Sequence, residues 1–121
     1  MPFVDTAKVE PRSPLPGWSG RFVHSEHMTF VYWNVEEGAQ ALHEHEHMQE
    51  EVWNVIEGEI EITIDGVTQI AGPGCVAVIP SGTRHAVRVL RASRVIVVDH
   101  PKREAFGDPA PEPVRSKETH A

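Results

Sequence analysis

The chain has one cysteine among its 121 residues, so no disulfide can form within it. A lone cysteine is typical of proteins from a reducing compartment, and we expect the protein to be cytoplasmic. No apolar run approaches the roughly 20 residues that a membrane-spanning helix needs. Residues 1–5 also lack the basic region and the apolar core of a signal peptide, so we expect no membrane partner.

Basic side chains are scarce as well. Lys and Arg number 11 against 18 Asp and Glu, which gives a net charge of −7. Sequence-independent binding to nucleic acid depends on neutralising phosphates with Lys and Arg, so this composition argues against a nucleic-acid partner. The excess acid either keeps the protein soluble or clusters in part around a cation, and composition alone leaves both open.

Helical periodicity is missing too, since no stretch before Pro101 carries apolar residues at helical spacing over three turns. Short runs of β-branched and aromatic residues alternate with turn signals instead, which predicts an all-β sandwich or barrel. Residues 59–64 alternate polar and isoleucine side chains, as a strand with one buried face does. Asp65-Gly66 then predicts a type I′ hairpin turn.

The same signals predict two pairs of consecutive strands. The first pair is residues 52–56 and 59–64, and the second is residues 84–90 and 94–98. The second pair is predicted to be joined by a turn at residues 91–93. Trp33 and Trp53 lie on predicted strands, where aromatic side chains line a cavity or, more commonly, fill the core.

Proline content divides the chain into three parts. Residues 1–20 contain four prolines and are predicted to form an extended N-terminal arm. Residues 21–106 hold the predicted strands and form the barrel domain. Residues 107–121 are again rich in proline and polar residues, which predicts a flexible C-terminal tail.

The most distinctive stretch is residues 42–58, where histidines and glutamates alternate. In an extended chain, the period of two sends His43, His45 and His47 to one face and the intervening glutamates to the other. Glu51 follows four residues after the last of these histidines. Imidazoles and a carboxylate suit divalent transition metals, so the stretch predicts one half of a metal site.

Two spaced motifs extend this pattern. The first has an opening glycine, a His-x-His pair, a glutamate and a closing glycine: Gly38, His45, His47, Glu51 and Gly58. The second has a glycine, a Pro-x-Gly turn and a histidine: Gly74, Pro80, Gly82 and His85. In this order and with this short spacer, the motifs resemble the two signature motifs of the cupin superfamily. Two departures stand out, because the spacing after Gly38 is one residue longer than usual and Val89 replaces the closing Asn.

The resemblance implies a double-stranded β-helix, or jelly-roll β-barrel, with one divalent metal ion inside it. Its ligands, carried over by position, are His45, His47, Glu51 and His85. Three nitrogens and one carboxylate suit Fe, Mn, Ni, Co, Cu or Zn. The Asn replaced by Val89 is not a ligand in the family pattern, so the implied metal site is complete.

His43 is predicted to lie on the same face as His45 and His47, and several roles are open for it. It is a polar residue at the barrel mouth, a base beside the metal, or a ligand in a shifted register that includes Glu50. The motif spacing favours Glu51 as the ligand, so we keep His43 outside the ligand set and treat it as a candidate catalytic base.

A weaker resemblance lies at residues 101–106, where a Pro-x-Arg-Glu-x-Phe ending is similar to that of small cupins that linearise unsaturated uronates. Arg103 is the substrate-binding candidate, because a guanidinium fork suits a carboxylate. Those enzymes have an acid where this chain has Val97 and tend to have Gln where it has Glu51. Asp99, the second catalytic candidate, takes the place of that acid only if the strand shifts or bulges.

The expected function is a metal-dependent enzyme acting on a small oxygenated metabolite, by Lewis-acid isomerase or lyase chemistry or as an Fe(II) dioxygenase. The alternative is a metal-bearing small-molecule binding or sensor module without turnover. A purely structural barrel also stays open, because fold does not dictate function. We expect a homodimer, since the edge strands of a small barrel need covering and the N-terminal arm is suited to exchange.

Overall fold

The computed structural model of the protein describes residues 3–43 and 48–103, with backbone only at residues 42 and 43. A short 3₁₀ helix, Thr6–Lys8, precedes eight strands in this part of the chain. The strands are β1 (Arg12–Leu15), β2 (Trp18–His24), β3 (Thr29–Val35), β4 (Gln40–His43), β5 (Glu50–Ile64), β6 (Val67–Ala71), β7 (Val76–Ile79) and β8 (His85–His100). None of the described helices is long and apolar enough to span a membrane.

Two long antiparallel strands, β5 and β8, organise the barrel, because each takes part in two half-sheets. The first half-sheet contains β1, β2, β3, the C-terminal half of β8, the N-terminal half of β5, and β7. The second half-sheet contains β4, the N-terminal half of β8, the C-terminal half of β5, and β6. This antiparallel arrangement confirms the predicted all-β jelly-roll class.

Both long strands bend where they cross, at Gly58 and Ser93. Gly58 has a φ of +92°, and a Cβ placed there would overlap the Ser93 side chain. The backbone N–H of Glu59 donates to Ser93 Oγ at 3.0 Å, and Ser93 Oγ donates to the Arg91 carbonyl at 2.6 Å. The hydroxyl therefore makes hydrogen bonds with backbone groups whose ladder hydrogen bonds are interrupted by the irregular pairing between Val55 and Ile60.

The predicted division of each long strand into two was wrong. Residues 91–93 form no turn, since β8 runs without interruption from residue 85 to residue 100. Residues 57–58 likewise lie within β5. The Arg-Ala-Ser and Glu-Gly segments are irregular positions inside long strands. Bulges and turns use the same types of residue, so one sequence does not distinguish them.

The core lies between the two half-sheets and contains three tryptophans. Trp18 packs edge-on against Trp33 and Trp53, with ring centroids 5.4 and 6.1 Å apart. All three rings are buried, so Trp33 and Trp53 belong to the core, and the Trp18 indole N–H donates to the Gln40 carbonyl at 3.1 Å. Edge-to-face packing with a satisfied N–H is the favoured arrangement for buried indoles.

Local turn chemistry agrees with the sequence. Asp65 and Gly66 have φ values of +49° and +83°, as a type I′ turn requires. Ile60 and Ile62 are buried, as the alternation of residues 59–64 predicts.

The proline-rich N-terminal segment lies against its own chain. β1 pairs with β2, which begins at Trp18, inside the segment predicted as an arm. Arg21 Nε donates to the Val9 carbonyl at 3.0 Å and ties the preceding residues to β2. The predicted tail, residues 107–121, lies outside the described residues.

Gly58→Ala is expected to lower the free energy of unfolding by about 2 to 4 kcal/mol, because it adds both left-handed backbone strain and an overlap with Ser93. Gly38→Ala is the matched control, with a φ of +87° and open space around the added Cβ, and should cost about 1 kcal/mol. Chemical denaturation measures both. Equal losses would mean that the crossing imposes no constraint beyond the backbone conformation.

Candidate metal centre

A cluster of four ionisable side chains lies inside the barrel, formed by Glu51, His85, Asp99 and Arg103. All four are buried, although charged groups are almost never fully buried unless they are paired. Glu51 has the same inward parity as the core residues Trp53 and Val55 on β5. The cluster is therefore continuous with the core of the first half-sheet.

The bend in β8 brings this cluster together. Asp99 is the register partner of Glu51 at one end of β8, and His85 begins the other end. A straight strand would separate residues 85 and 99 by roughly 46 Å. In the bent strand, His85 Nε2 lies 3.4 Å from Oε1 of Glu51. Both ends of one strand thus reach the same carboxylate.

Each oxygen of Glu51 has a donor. The Trp53 indole N–H donates to Oε1 at 2.9 Å, and Arg103 Nη1 donates to Oε2 at 2.8 Å. Burial alone would raise the pKa of Glu51, but hydrogen bonds to His85 and Asp99 and the charge of Arg103 outweigh it. The pKa of Glu51 is consequently held well below its usual range, and the carboxylate is ionised.

Asp99 has the opposite electrostatics. Its Oδ2 lies 3.6 Å from Arg103 Nη1, beyond a good hydrogen bond, and the carboxyl group is almost fully buried. Burial first, and then the negative charge of Glu51, raise the pKa of Asp99 to about 9. At neutral pH the pair therefore consists of one carboxylate, Glu51, and one neutral acid, Asp99.

Arg103 is fixed by its backbone as well as by its side chain. Its N–H donates to Thr29 Oγ1 at 2.8 Å, and the Gln49 side-chain amide donates to the preceding carbonyl, Lys102, at 3.4 Å. Thr29 is fully buried at the start of β3, opposite Asp99 in register. These contacts turn the chain inward after β8 and direct the guanidinium toward Glu51.

The Thr83 carbonyl favours one tautomer of His85. Its Nδ1 lies 3.3 Å from the Thr83 carbonyl, which only accepts, so this contact requires a proton on Nδ1. In the neutral ring, Nε2 then carries a lone pair and faces a carboxylate oxygen of Glu51. Two acceptors at this distance repel unless a cation, either a proton or a metal ion, lies between them. Backbone-oriented imidazoles of this kind are usual among metal ligands.

The predicted site residues fall into two groups. Glu51, His85, Asp99 and Arg103 meet in one cluster, and His43 is the register partner of His85 in the β4–β8 pairing. His45 and His47 lie outside the described residues. Within residues 3–43 and 48–103, no three His, Cys, Asp or Glu side chains form a metal site by themselves. The ligand set stays a prediction that includes His45 and His47.

The strand neither shifts nor bulges here, so Val97 keeps the position of the uronate-cupin acid, and Asp99 enters the cluster two residues later on the same face of β8. The ladder between Glu51 and Val55 is regular, and Val97 and Asp99 both face inward. Trp53 and Thr29 were not predicted as residues of the site. The Glu51-x-Trp53 parity was a usable signal, whereas nothing in the sequence connects Thr29 with Arg103.

The sequence profile of the cupin domain family matches residues 31–100, which is more than half of the chain. The chain belongs to the cupin domain family. This confirms the resemblance carried by the two motifs. A search of curated protein sequences finds no match to this cupin.

Solved structures have the same fold. An RmlC-like cupin from Shewanella frigidimarina is 22% identical, with a TM-score of 0.80 over 88% of this chain and 96% of its own. KdgF from a Halomonas species is 23% identical, with a TM-score of 0.78 over 86% and 98%. A mutant of oxalate decarboxylase from Bacillus subtilis is 24% identical, with a TM-score of 0.68 over 81% of this chain and 29% of its own. At these identities, the likeness concerns the fold alone.

The Asp99→Asn variant tests the protonation of the cluster in metal-free protein. Between pH 5 and 8 the folded Asp99, with a pKa of about 9, keeps a proton that the unfolded chain has released. This contribution to stability is fully present below about pH 4 and is lost as the pH rises toward 9. Wild type should therefore lose free energy of unfolding relative to Asp99→Asn as the pH increases from 5 to 8.

Asp65→Asn, in the exposed hairpin turn, serves as the control and should follow wild type across this pH range. Denaturant titrations at several pH values give the comparison. An ionised Asp99 would produce a different result, in which Asp99→Asn parallels wild type and is less stable at every pH, because Arg103 loses an ion-pair partner.

Proposed function

We propose that this cupin holds one divalent transition-metal ion inside the barrel and is a metal-dependent enzyme acting on a small oxygenated metabolite. The observation that carries the proposal is the 3.4 Å approach of His85 Nε2 to Oε1 of Glu51, with the imidazole oriented by Thr83. These two residues are the described members of the ligand set that the cupin motifs imply.

The geometry fits a shared ion. Two ligand atoms bound at about 2.1 Å lie about 3.0 to 3.5 Å apart when the angle between them is 90 to 110°. The separation of Oε1 and Nε2 falls within this range. His45 and His47 would complete a set of three nitrogens and one carboxylate, which suits Fe, Mn, Ni, Co, Cu or Zn. When bound, such an ion supplies Lewis-acid polarisation of a substrate oxygen or, as iron, activation of dioxygen.

The surrounding residues would prepare the site. Trp53 and Arg103 fix both oxygens of Glu51, so the carboxylate keeps one orientation as charge at the site changes. Asp99 holds a proton at neutral pH because its pKa is raised to about 9. A divalent ion on Glu51 would oppose the negative charge that helps to raise this pKa, so Asp99 stays a candidate, beside His43, for the acid or base that isomerase chemistry requires.

Two observations bear on the substrate class and on the presence of a metal. Asp99 and Arg103 lie side by side in the cluster, so an acid adjoins the candidate carboxylate-binding arginine, two residues beyond the position that the acid has in the uronate cupins. This favours a carboxylated substrate, such as an unsaturated uronate, with isomerase or lyase chemistry. Among the structural relatives, oxalate decarboxylase is described with Mn(II) centres, which supports a metal in this fold.

The second candidate is a metal-bearing binding or sensor module without turnover. The four cluster side chains are buried, and two clefts in the described part of the chain, near Arg94 and the N-terminal segment, do not include them. A site closed by its own side chains favours binding or structural use over catalysis.

Metal content of protein purified without chelator or added metal tests the ligand set. Wild type is expected to carry about one ion per chain, and His85→Ala less than a tenth of that, while remaining folded. His100→Ala is the control, since His100 lies on the same strand, β8, but is exposed. Elemental analysis gives the stoichiometry and circular dichroism the fold. A full complement of metal in His85→Ala would contradict the assignment.

Turnover separates the two candidate functions. Metal-loaded protein is expected to convert an unsaturated uronate, with activity abolished by chelator and restored by the metal that elemental analysis identifies. Oxalate serves as a second probe, prompted by the fold of oxalate decarboxylase. An upward shift of the thermal midpoint with either compound, without turnover of either, would favour the binding module instead.

A further inference from the structure

A single row of inward-facing residues crosses four adjacent strands at the end of the barrel that holds the cluster. In register order from β2 to β5 the row contains His24, Thr29, Asp99 and Glu51. Residues directly opposite one another on neighbouring strands point to the same face of the sheet. The last three members are buried, whereas His24 ends β2 and is exposed. The row therefore runs from the protein surface to the buried cluster.

The Thr29 hydroxyl joins the exposed end of this row to Arg103. Its Oγ1 accepts from the Arg103 backbone N–H at 2.8 Å and lies 2.9 Å from His24 Nδ1. A buried hydroxyl proton needs an acceptor, and among the described residues Nδ1 of His24 is the one within reach. The two hydrogen bonds then run in one direction, from the Arg103 N–H through the hydroxyl to the imidazole. Hydrogen bonds in such a chain strengthen one another.

Arg103 depends on this contact because it lies beyond the end of β8. That strand ends at His100, so its ladder does not fix the position of Arg103. The Thr29 contact, at 2.8 Å, is shorter than the one from the Gln49 amide to the preceding carbonyl, at 3.4 Å. The guanidinium meanwhile donates to Oε2 of Glu51 at 2.8 Å. A backbone displacement at Arg103 would move this guanidinium, and a misplacement of about 1 Å at a binding group can cost about a hundredfold in activity.

We propose that His24 and Thr29 are positioning residues for Arg103, and that their hydrogen-bonded link sets how tightly the site holds a carboxylate group of its substrate. The inference rests on the proposed function, in which Arg103 is the candidate that binds a substrate carboxylate. Neither His24 nor Thr29 contacts the substrate in this arrangement. The imidazole orients the hydroxyl, the hydroxyl fixes the backbone of Arg103, and the backbone directs the guanidinium.

Hydrogen exchange at the Arg103 amide, followed by NMR in metal-free protein, tests the link without any substrate. Thr29→Val keeps the shape of the side chain and removes the hydroxyl, so the amide should exchange about tenfold faster, as expected for the loss of one hydrogen bond. His24→Phe should speed exchange about threefold, because the remaining hydrogen bond loses its support. This exposed variant also guards against misfolding of the buried one.

Two conservative variants should restore the link. Thr29→Ser retains the hydroxyl, and His24→Asn retains an acceptor close to the position of Nδ1. Both should exchange at Arg103 within about twofold of wild type. A role of these positions in packing alone would predict the opposite ranking, because Val fills the space of Thr29 better than Ser does.

Carboxylate affinity tests the consequence for the site. Protein as purified is titrated with galacturonate, a stable uronate, and Thr29→Val should raise its dissociation constant about tenfold and His24→Phe about threefold. In an Arg103→Gln background, Thr29→Val should have no further effect, since the link acts through the guanidinium. With an unsaturated uronate as substrate, the same variants should raise KM and leave kcat near that of wild type.

His27→Phe is the matched control, since His27 lies in the same hairpin and its side chain is 74% exposed. It should follow wild type in both measurements. An Arg103 amide that does not respond to Thr29→Val and His24→Phe would overturn the inference. So would a wild type that does not bind galacturonate, an affinity unchanged in both variants, or an equal effect of His27→Phe. Failure of the proposed enzymatic role gives a different result, in which galacturonate affinity depends on the link but no uronate is turned over.

Discussion

The crossing of β5 and β8 at Gly58 and Ser93 is the constraint on which the barrel depends. Each long strand must serve two half-sheets, and this is possible only if both bend at the same place. Gly58 allows the close approach, since any side chain there would overlap Ser93. The Ser93 hydroxyl then replaces the backbone hydrogen bonds that the bend interrupts. The same bend carries His85 back to Glu51, so the site and the fold share one cause.

Burying four ionisable groups has an energetic cost, which the cluster limits by keeping its charge small. Asp99 is neutral, and Arg103 balances the ionised Glu51. Replacing such a group by an apolar residue of similar size is often neutral or stabilising for a fold. Packing alone would favour apolar residues at these positions, so the cluster agrees with the proposed binding or catalytic role.

Much of the fold followed from local signals in the sequence. The alternation of residues 59–64 and the Asp65-Gly66 turn are short-range features, and both appear as predicted. Glu51 and His85 were identified from the spacing of the two motifs. The spacing does not explain why the two side chains lie close together, which results from the bend in β8. The continuity of β5 and β8 was missed, since it depends on a hydrogen bond between Glu59 and Ser93, 34 residues apart. The Thr29–Arg103 contact spans 74 residues and has no local signal.

The hydrogen bond from the Trp53 indole to Glu51 has an optical consequence. Indole emission responds to nearby charge and to the partner of its N–H group, and Trp53 donates directly to the carboxylate at the centre of the cluster. Trp18 lies 6.1 Å from the Trp53 ring and 5.4 Å from that of Trp33, close enough for excitation energy to pass among all three. The tryptophan emission of the chain is therefore expected to change when the charge on Glu51 changes, so fluorescence can follow events at the site without an added label.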